Sequence, residues 1–462
     1  MKTSILVLTV YTFCIYRPLI AQNKTTDKIN SEYLIESPNP CGTIPPDPVW
    51  DKWFNEKVTA YKQKHTESKV SQDYIIPVIV HVIHGGEAVG TYPNISSAQV
   101  SSQIQILNED YSGVGFNSQS IPAVFKDLKA NTGIRFCLAE TDTLGQKLAE
   151  PGIDRIKYST KGFNNPASIT SSSQFMSYVT GTIKPKTIWD PKNYFNVWIT
   201  DKNTSMGTLG YATFPAGTTL SGFTQSSTVG TDSTDGVWCY TKAFGNIESV
   251  DAPYNKGRVL THESGHWFGL RHISGDASCG DDFCNDTPPQ KGGYSNGQNG
   301  LNWGNPPEGW KGKNGLCPGN TSGFEMFMNF MDYPEDSSKY MFSLDQAIRM
   351  KTALSEGTFR NVLGTHSLCT TEFGVKETIL ETNVKVFPNP SFGLIQLSFT
   401  LPYNMDLNYT LINTLGQEVL HNTKTNIQND SIELDLNSFE KGFYLLKINS
   451  GNTTSFKKII LY

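Results

Sequence analysis

Histidine is scarce in this chain, eight in 462 residues, so any place where several gather carries weight. Long apolar runs are scarcer still. After residue 16 no stretch is apolar for long enough to cross a bilayer as a helix, which excludes a helical membrane protein. Positive charge is not in excess either. Lys and Arg number 38 against 43 Asp and Glu, a net charge of −5, and this removes any electrostatic reason to expect nucleic acid as partner. A hydrophobic content of 37% with 18% charged residues describes a globular chain, long enough for two or three domains with a sizeable core.

The single long apolar run lies at the start. Lys2, the run Ile5 to Tyr16 and the polar stretch after Ala21 read as a secretory leader over residues 1–21, its apolar part too short to span a membrane. Cys14, inside that run, lacks the small residues that a lipid-modified cysteine needs before it. Export permits disulfides. Seven cysteines remain after the leader: Cys41, Cys137, Cys239, Cys279, Cys284, Cys317 and Cys369. The number is odd, so one thiol is left over or pairs outside the chain.

Three of the eight histidines fall within eleven residues, in Thr-His-Glu-Ser-Gly-His-Trp-Phe-Gly-Leu-Arg-His, residues 261–272. His262 and His266 are four apart and share one face of a helix. Gly269 takes positive φ without steric cost, ends the helix and brings His272 round as a third ligand. Three imidazoles suit Zn²⁺ and leave a fourth position open, as in catalytic rather than structural sites. Glu263, beside the first ligand, is placed to take a proton from water. A lone histidine is usually a satisfied core residue, but three at these offsets are not.

Residues 22–72 are polar, Lys-containing and proline-punctuated, with Pro38, Pro40, Pro45, Pro46 and Pro48 favouring an extended path over packed structure. A short helix fits residues 50–64. The region reads as a propeptide, easily cut where Lys57, Lys62, Lys64 and Lys69 crowd its end. Cys41 within it offers a thiolate for the open zinc position, which would hold the protein latent. An ordinary disulfide, to Cys137 for instance, is the alternative. With Cys41 unpaired, six cysteines remain for three disulfides, in 15 possible pairings.

From Tyr74 the texture changes. The β-branched run 74–84 reads as a strand buried on both faces, with His81 and His84 as core or edge residues. Ser96 or Ser97 caps a helix to about Asn108 with Val100, Ile104 and Leu107 on one stripe. Strands follow at 133–138, 153–158 and 194–200. Residues 210–214 are expected as an edge strand beside a cleft, where a peptide adds itself as an extra strand. Residues 217–234 form a Ser/Thr/Gly loop, and the histidine helix follows from about Lys256. The fold class expected is α+β: a mixed twisted sheet with helices above an irregular lower half, the metal on the floor of the cleft between them.

After the histidine helix, Asp276, Asp281, Asp282, Asp286 and Thr287 put hard oxygens on one tight loop, a candidate structural Ca²⁺ site. A solvated acidic loop pinned by Cys279, Cys284 and Cys317 is the alternative. Met331 and Tyr333 lie in Asn-Phe-Met-Asp-Tyr, 329–333. The methionine suits an apolar floor beneath the three imidazoles, and the phenol is placed to stabilise an oxyanion. A helix is expected at 344–354, and Cys369 closes the domain, giving 73–372 for it and a linker at 373–384. Residues 385–462 alternate in short segments, such as 394–399 and 443–448, with turns at Leu415-Gly416 and Lys441-Gly442. This is the pattern of a small β-sandwich, and it contains no cysteine and only the lone His421.

With its third histidine and its Met-Asp-Tyr turn, the stretch from about Tyr74 to Cys369 resembles a metzincin. Asn-Phe-Met-Asp-Tyr, with Asp-Thr-Pro after the histidine helix, resembles the pappalysin branch and its ulilysin-like members. The resemblance implies a zinc endopeptidase acting on proteins or peptides, with His262, His266 and His272 as ligands, Glu263 as general base, Met331 in the Met-turn and Tyr333 as the flexible tyrosine. Calcium dependence and cleavage beside Arg or Lys are implied by some members. Relatives commonly carry a cysteine shortly after the Met-turn; residues 337–342 here carry none, so the family's lower-half disulfide pattern does not transfer. The Cys-Gly at Cys41 is similar to the latency switch of other metzincin zymogens. Residues 385–462 look like the C-terminal sorting domain of the type IX secretion system, implying its machinery as partner and an extracellular or cell-surface destination. The rival reading is a surface adhesin or binding protein that keeps the fold and metal without turnover. Such a protein has no need of Glu263.

Overall fold

The structure, a computed structural model, describes residues 40–65, 74–218, 220–223, 228–291, 316–363, 368–369, 380, 383–414, 416–450 and 453–462. The leader reading at 1–21, the prosegment reading at 22–39 and 66–72 with Lys69, Leu415 of one expected turn and most of the linker at 373–384 lie outside the described residues.

One strand organises the main domain. β1 (Tyr74–His84) is buried from Ile76 to Ile83 because both its edges and both its faces are covered. β2 (Ile134–Leu138) and β3 (Ile153–Lys157) pair in tandem along one edge, and β4 (Phe195–Thr200) takes the other, all parallel. β6 (Val237–Tyr240) adds in parallel to β4, and β5 (Gly210–Ala212) closes the sheet antiparallel to β6. His81 is a core residue as expected, held between Asp154 and Asn196 at 2.9 Å each.

Helices cover both faces. α2 (Ser97–Tyr111), capped by Ser96, lays Val100, Ile104 and Leu107 on the sheet face that also receives the histidine helix. On the other face α3 (Ser172–Tyr178), a π-turn at Val179–Ile183 and α4 (Lys184–Thr187) set Phe175, Val179 and Ile183 against Trp198 and Trp238. Neither α3, α4 nor β6 is anticipated by the sequence pattern, because each is too short to show a period. α5 (Arg258–Trp267) is buried along its whole length. α6 (Leu344–Glu356) begins with a complete capping box of Ser343 and Gln346.

The helix expected at residues 50–64 is present, but the N-terminal segment is packed rather than loose. α1 (Pro48–His65) buries Trp50, Trp53 and Phe54 against Phe214, Val229 and Ala353. The prolines stop where the helix starts, and Asp47 caps it through the backbone N–H groups of Val49 and Trp50 at 2.9 and 3.0 Å. The aromatic cluster then outweighs the exposed lysines. The expectation of three disulfides also fails. Two are present among the described residues, Cys137–Cys369 and Cys279–Cys317, while Cys41, Cys239 and Cys284 are buried and belong to neither bridge. Cys137 therefore is not the partner of Cys41.

Residues 384–461 form a separate all-antiparallel five-stranded assembly of β-sandwich type: β7 (Val384–Phe387), β8 (Leu394–Ile412), β9 (Glu418–Asp435), β10 (Gly442–Ser450) and β11 (Thr453–Leu461). β8 is longer than its sequence segment suggests. Register shifts between Thr400 and Met405 let one strand bend and serve both ends of the layer. No helix among the described residues is long and apolar enough to cross a membrane.

Candidate metal centre

α5 is positioned by ionic contacts rather than by its own cap. Gly257 at its N-cap offers no side chain, and Asp336 reaches across 78 residues to accept from the N–H groups of Lys256 (2.9 Å) and Arg258 (3.2 Å). The Arg258 guanidinium bridges Asp110 of α2 at 3.1 Å, and Thr261 Oγ1 donates to the same carboxylate at 2.9 Å. This pair is buried on both sides, so it locks the rotation of α5 about its axis.

The rotation matters because three imidazoles converge. Gly269, at φ 88°, ends the helix and allows His272 to return toward His262 and His266. The Nε2 atom of His266 lies 3.2 Å from that of His262 and 3.0 Å from that of His272. Each Nδ1 is committed elsewhere: His262 to the Phe330 carbonyl (2.6 Å), His266 to the Leu270 carbonyl (2.8 Å), His272 to the Asp276 carboxylate. With the protons on Nδ1, three Nε2 lone pairs face one another, an arrangement that repels unless a cation sits among them. Tetrahedral zinc with Zn–N bonds of about 2.0–2.1 Å needs nitrogens roughly 3.3 Å apart, close to what is seen. Burial also holds His262 and His266 well below the usual histidine pKa, in the neutral form that ligation requires. The residues present fit zinc.

Two further groups complete the centre. Cys41 brings its Sγ to 3.6 Å from His266 Nε2 and 3.6 Å from Glu263 Oε2, and it joins the three histidines in the one converging set of potential metal ligands among the described residues. Glu263 is fully buried, and burial pushes its carboxyl up to about 7, against hydrogen bonds from Thr43 and Cys41 that pull it down. Thr43 is a residue that sequence reasoning missed. Its hydroxyl donates to Glu263 Oε2 at 2.7 Å and accepts from the Ala212 N–H of β5 at 2.8 Å. The same segment lies along β5 as an added strand, with Gly42 N donating to the Gly210 carbonyl (2.8 Å) and Leu209 N to Pro40 (2.7 Å). The edge expected to receive a peptide thus holds one from the chain's own N-terminal side.

Beneath the histidines, Met331 is fully buried, in a turn fixed by Asn329, whose side-chain oxygen accepts from the Met331 N–H at 2.9 Å. Gly265 explains how the sulfur comes so close: a Cβ there would lie 2.4 Å from Met331 Sδ. Tyr333 places its hydroxyl 2.9 Å from His272 Nε2, at the rim of the centre.

The acidic loop does not gather as expected. Asp276 turns to His272 and Arg271, making it a support for the third imidazole and not a calcium ligand. Asp281 caps the local turn at Phe283 N (2.7 Å), and Asp286 accepts from Ser343 Oγ (2.7 Å) and Asp345 N (2.9 Å) at the start of α6. Like charges counted along a loop do not say where each carboxylate points. Only Asp282 and Thr287 stay together, with Thr287 Oγ1 at 2.8 and 2.9 Å from the two carboxylate oxygens.

A mixed sheet over an H-E-x-x-H helix, a glycine turn to a third histidine and a buried methionine turn below define a metallopeptidase of the metzincin class. Residues 180–355 match the family model described as Pregnancy-associated plasma protein-A, and residues 385–462 the one described as Secretion system C-terminal sorting domain. Among solved structures, mature mirolysin of Tannerella forsythia in complex with a cleaved peptide is 32% identical, covering 64% of this chain and 97% of that one with a TM-score of 0.50. A promirolysin mutant from the same organism is 30% identical, covering 70% and 96%, with a TM-score of 0.52. Extracellular metalloprotease 1 of Coccidioides posadasii is 26% identical over 314 residues, 68% of this chain and 87% of its own length. The chain belongs to the pappalysin family of metalloendopeptidases and is secreted, with a type IX sorting domain at its C-terminal end.

Proposed function

We propose that this protein is a zinc endopeptidase made as a latent zymogen, in which residues 22–72 are the prosegment, 73–372 the catalytic domain and 385–462 a sorting tail, following a leader at 1–21. The observation that carries the zinc reading is the convergence of three buried Nε2 atoms beside a buried carboxylate. His262, His266 and His272 would hold the ion, which when bound acidifies water and polarises the scissile carbonyl. The rest falls to the chain's own residues. β5 accepts the backbone of a peptide as an extra strand and aligns it over α5. Glu263 takes a proton from the attacking water and passes it to the leaving amine. Tyr333 donates its phenolic proton toward the oxyanion. In the zymogen, Cys41 takes the place next to the histidines and Thr43 occupies the carboxylate. Metal analysis of the processed protein is expected to give one zinc per chain, with gelatin hydrolysis lost on chelation and recovered with zinc. A processed, folded protein free of stoichiometric zinc sinks the proposal.

For calcium, support narrows to Asp282 and Thr287. Burial raises the Asp282 carboxyl to about 7 despite the Thr287 hydroxyl, a cost that a bound divalent cation relieves. Removing calcium at saturating zinc is expected to lower the melting temperature; an unchanged curve rules calcium out.

A further inference from the structure

Arg271 is the residue in the histidine motif that the chemistry above leaves unused. It is buried, and its guanidinium donates to two carboxylates and a carbonyl. Nη1 donates to Asp276 Oδ2 at 3.0 Å. The other three come from the N-terminal segment: Nε to Asp51 Oδ1 at 3.2 Å, Nη2 to Asp51 Oδ2, and Nη2 to the Pro46 carbonyl at 2.8 Å. A carboxylate held by Nε and Nη2 together is the two-point geometry for which a guanidinium is built.

We propose that Arg271 is a carboxylate-binding subsite of the mature enzyme, filled by Asp51 in the zymogen and afterwards by an acidic side chain of the peptide substrate. The proposal rests on reading residues 40–65 as a removable prosegment. When that segment leaves, Arg271 keeps only Asp276. The Asp276 carboxylate also holds His272 Nδ1, so the guanidinium stays anchored at one end while its Nε–Nη2 edge is uncovered. A guanidinium whose Nε–Nη2 edge has lost a two-point carboxylate gains by taking a new one. The site is continuous with the cleft. Pro46 is three residues beyond Thr43, whose hydroxyl touches Glu263, and three extended residues span at most about 10 Å. A substrate lying on the same track brings a side chain within three or four residues of its cleaved bond to Arg271.

The test uses activated full-length protein and matched fluorogenic peptides that differ only in Asp against Asn at successive positions on both sides of the scissile bond. At one position within about four residues of that bond, wild type is expected to cleave the Asp peptide about tenfold better in kcat/KM, the worth of a charge-assisted pair. The ratio falls toward one in Arg271→Gln and stays intermediate in Arg271→Lys, which keeps charge but loses the fork. Zinc content of each variant is measured alongside. A second arm titrates a synthetic peptide of residues 40–65 as inhibitor: Asp51→Asn in the peptide weakens it about tenfold against wild type and has no effect against Arg271→Gln. A ratio of one at every position in wild type, or an acidic preference that survives in Arg271→Gln, overturns the subsite. Should wild type cleave no peptide at all, the peptidase reading is what fails. Direct binding of the two 40–65 peptides then still decides the subsite, equal affinities overturning it.

Discussion

Replacing Glu263 by alanine is expected to lower peptide hydrolysis by the processed protein about 10²–10⁴-fold while zinc remains bound at one per chain. The three imidazoles whose Nε2 atoms face the metal position are held through Nδ1 by Phe330, Leu270 and Asp276, and none of those contacts involves Glu263. Loss of the carboxylate therefore removes the proton carrier and leaves the ligand cage. Trimming the side chain to alanine leaves the buried Lys339 ammonium with Asp336 at 3.9 Å as its ion-pair partner, so no fixed cation is stranded. Kinetics with a fluorogenic peptide and metal analysis on the same preparation check both halves. Unreduced turnover in Glu263→Ala with full zinc would assign the base elsewhere.

In the uncut chain, Cys41→Ala is expected to raise cleavage of a short peptide at least about tenfold over the uncut wild type, the effect of losing a latch contact worth about 1.4 kcal/mol or more. Three anchors hold the segment at 40–65. Cys41 stands against the histidines, Thr43 binds Glu263, and α1 sits on its aromatic cluster with Asp51 on Arg271. Burial and the neighbouring Glu263 push the Cys41 thiol well above its ordinary pKa, so without a cation it stays protonated and donates to Glu263; a cation among the imidazoles reverses that balance. Removing the thiol frees the stretch before Pro46 to lift, while α1 stays docked. A small peptide gains entry before a large protein does. If uncut Cys41→Ala is as inert as wild type, Thr43 and α1 close the cleft unaided and the thiol is no latch.

How much of this was readable beforehand follows from the range of each interaction. Helical spacing places His262 and His266 on one face, and a glycine three residues on permits the return of His272. These are local rules, and the observed convergence follows them. The β-branched run of β1, the Ser96 cap of α2 and the capping-box helix α6 are local too. Thr43 was invisible because its value lies in touching Glu263, 220 positions away. In the sequence Asp276 is one oxygen donor among several on an acidic loop, yet its carboxylate is spent on His272 and Arg271. The cysteines show the same limit: their number is in the sequence, but Cys137 meets Cys369 only through a separation of 232 residues.

By itself the sequence determined the chemistry available: three nitrogens, one carboxylate and one thiol at periods that a helix and a glycine turn convert into a cluster. It determined the order of the modules as well, because composition changes where they meet. The tertiary structure alone decided how that chemistry is restrained. Asp336 caps α5, Arg258 and Asp110 fix its rotation, and the N-terminal segment runs along β5 with Thr43 on the base and Asp51 on Arg271. Each of these joins groups far apart along the chain, and no local periodicity encodes a contact made only when the whole chain has closed on itself.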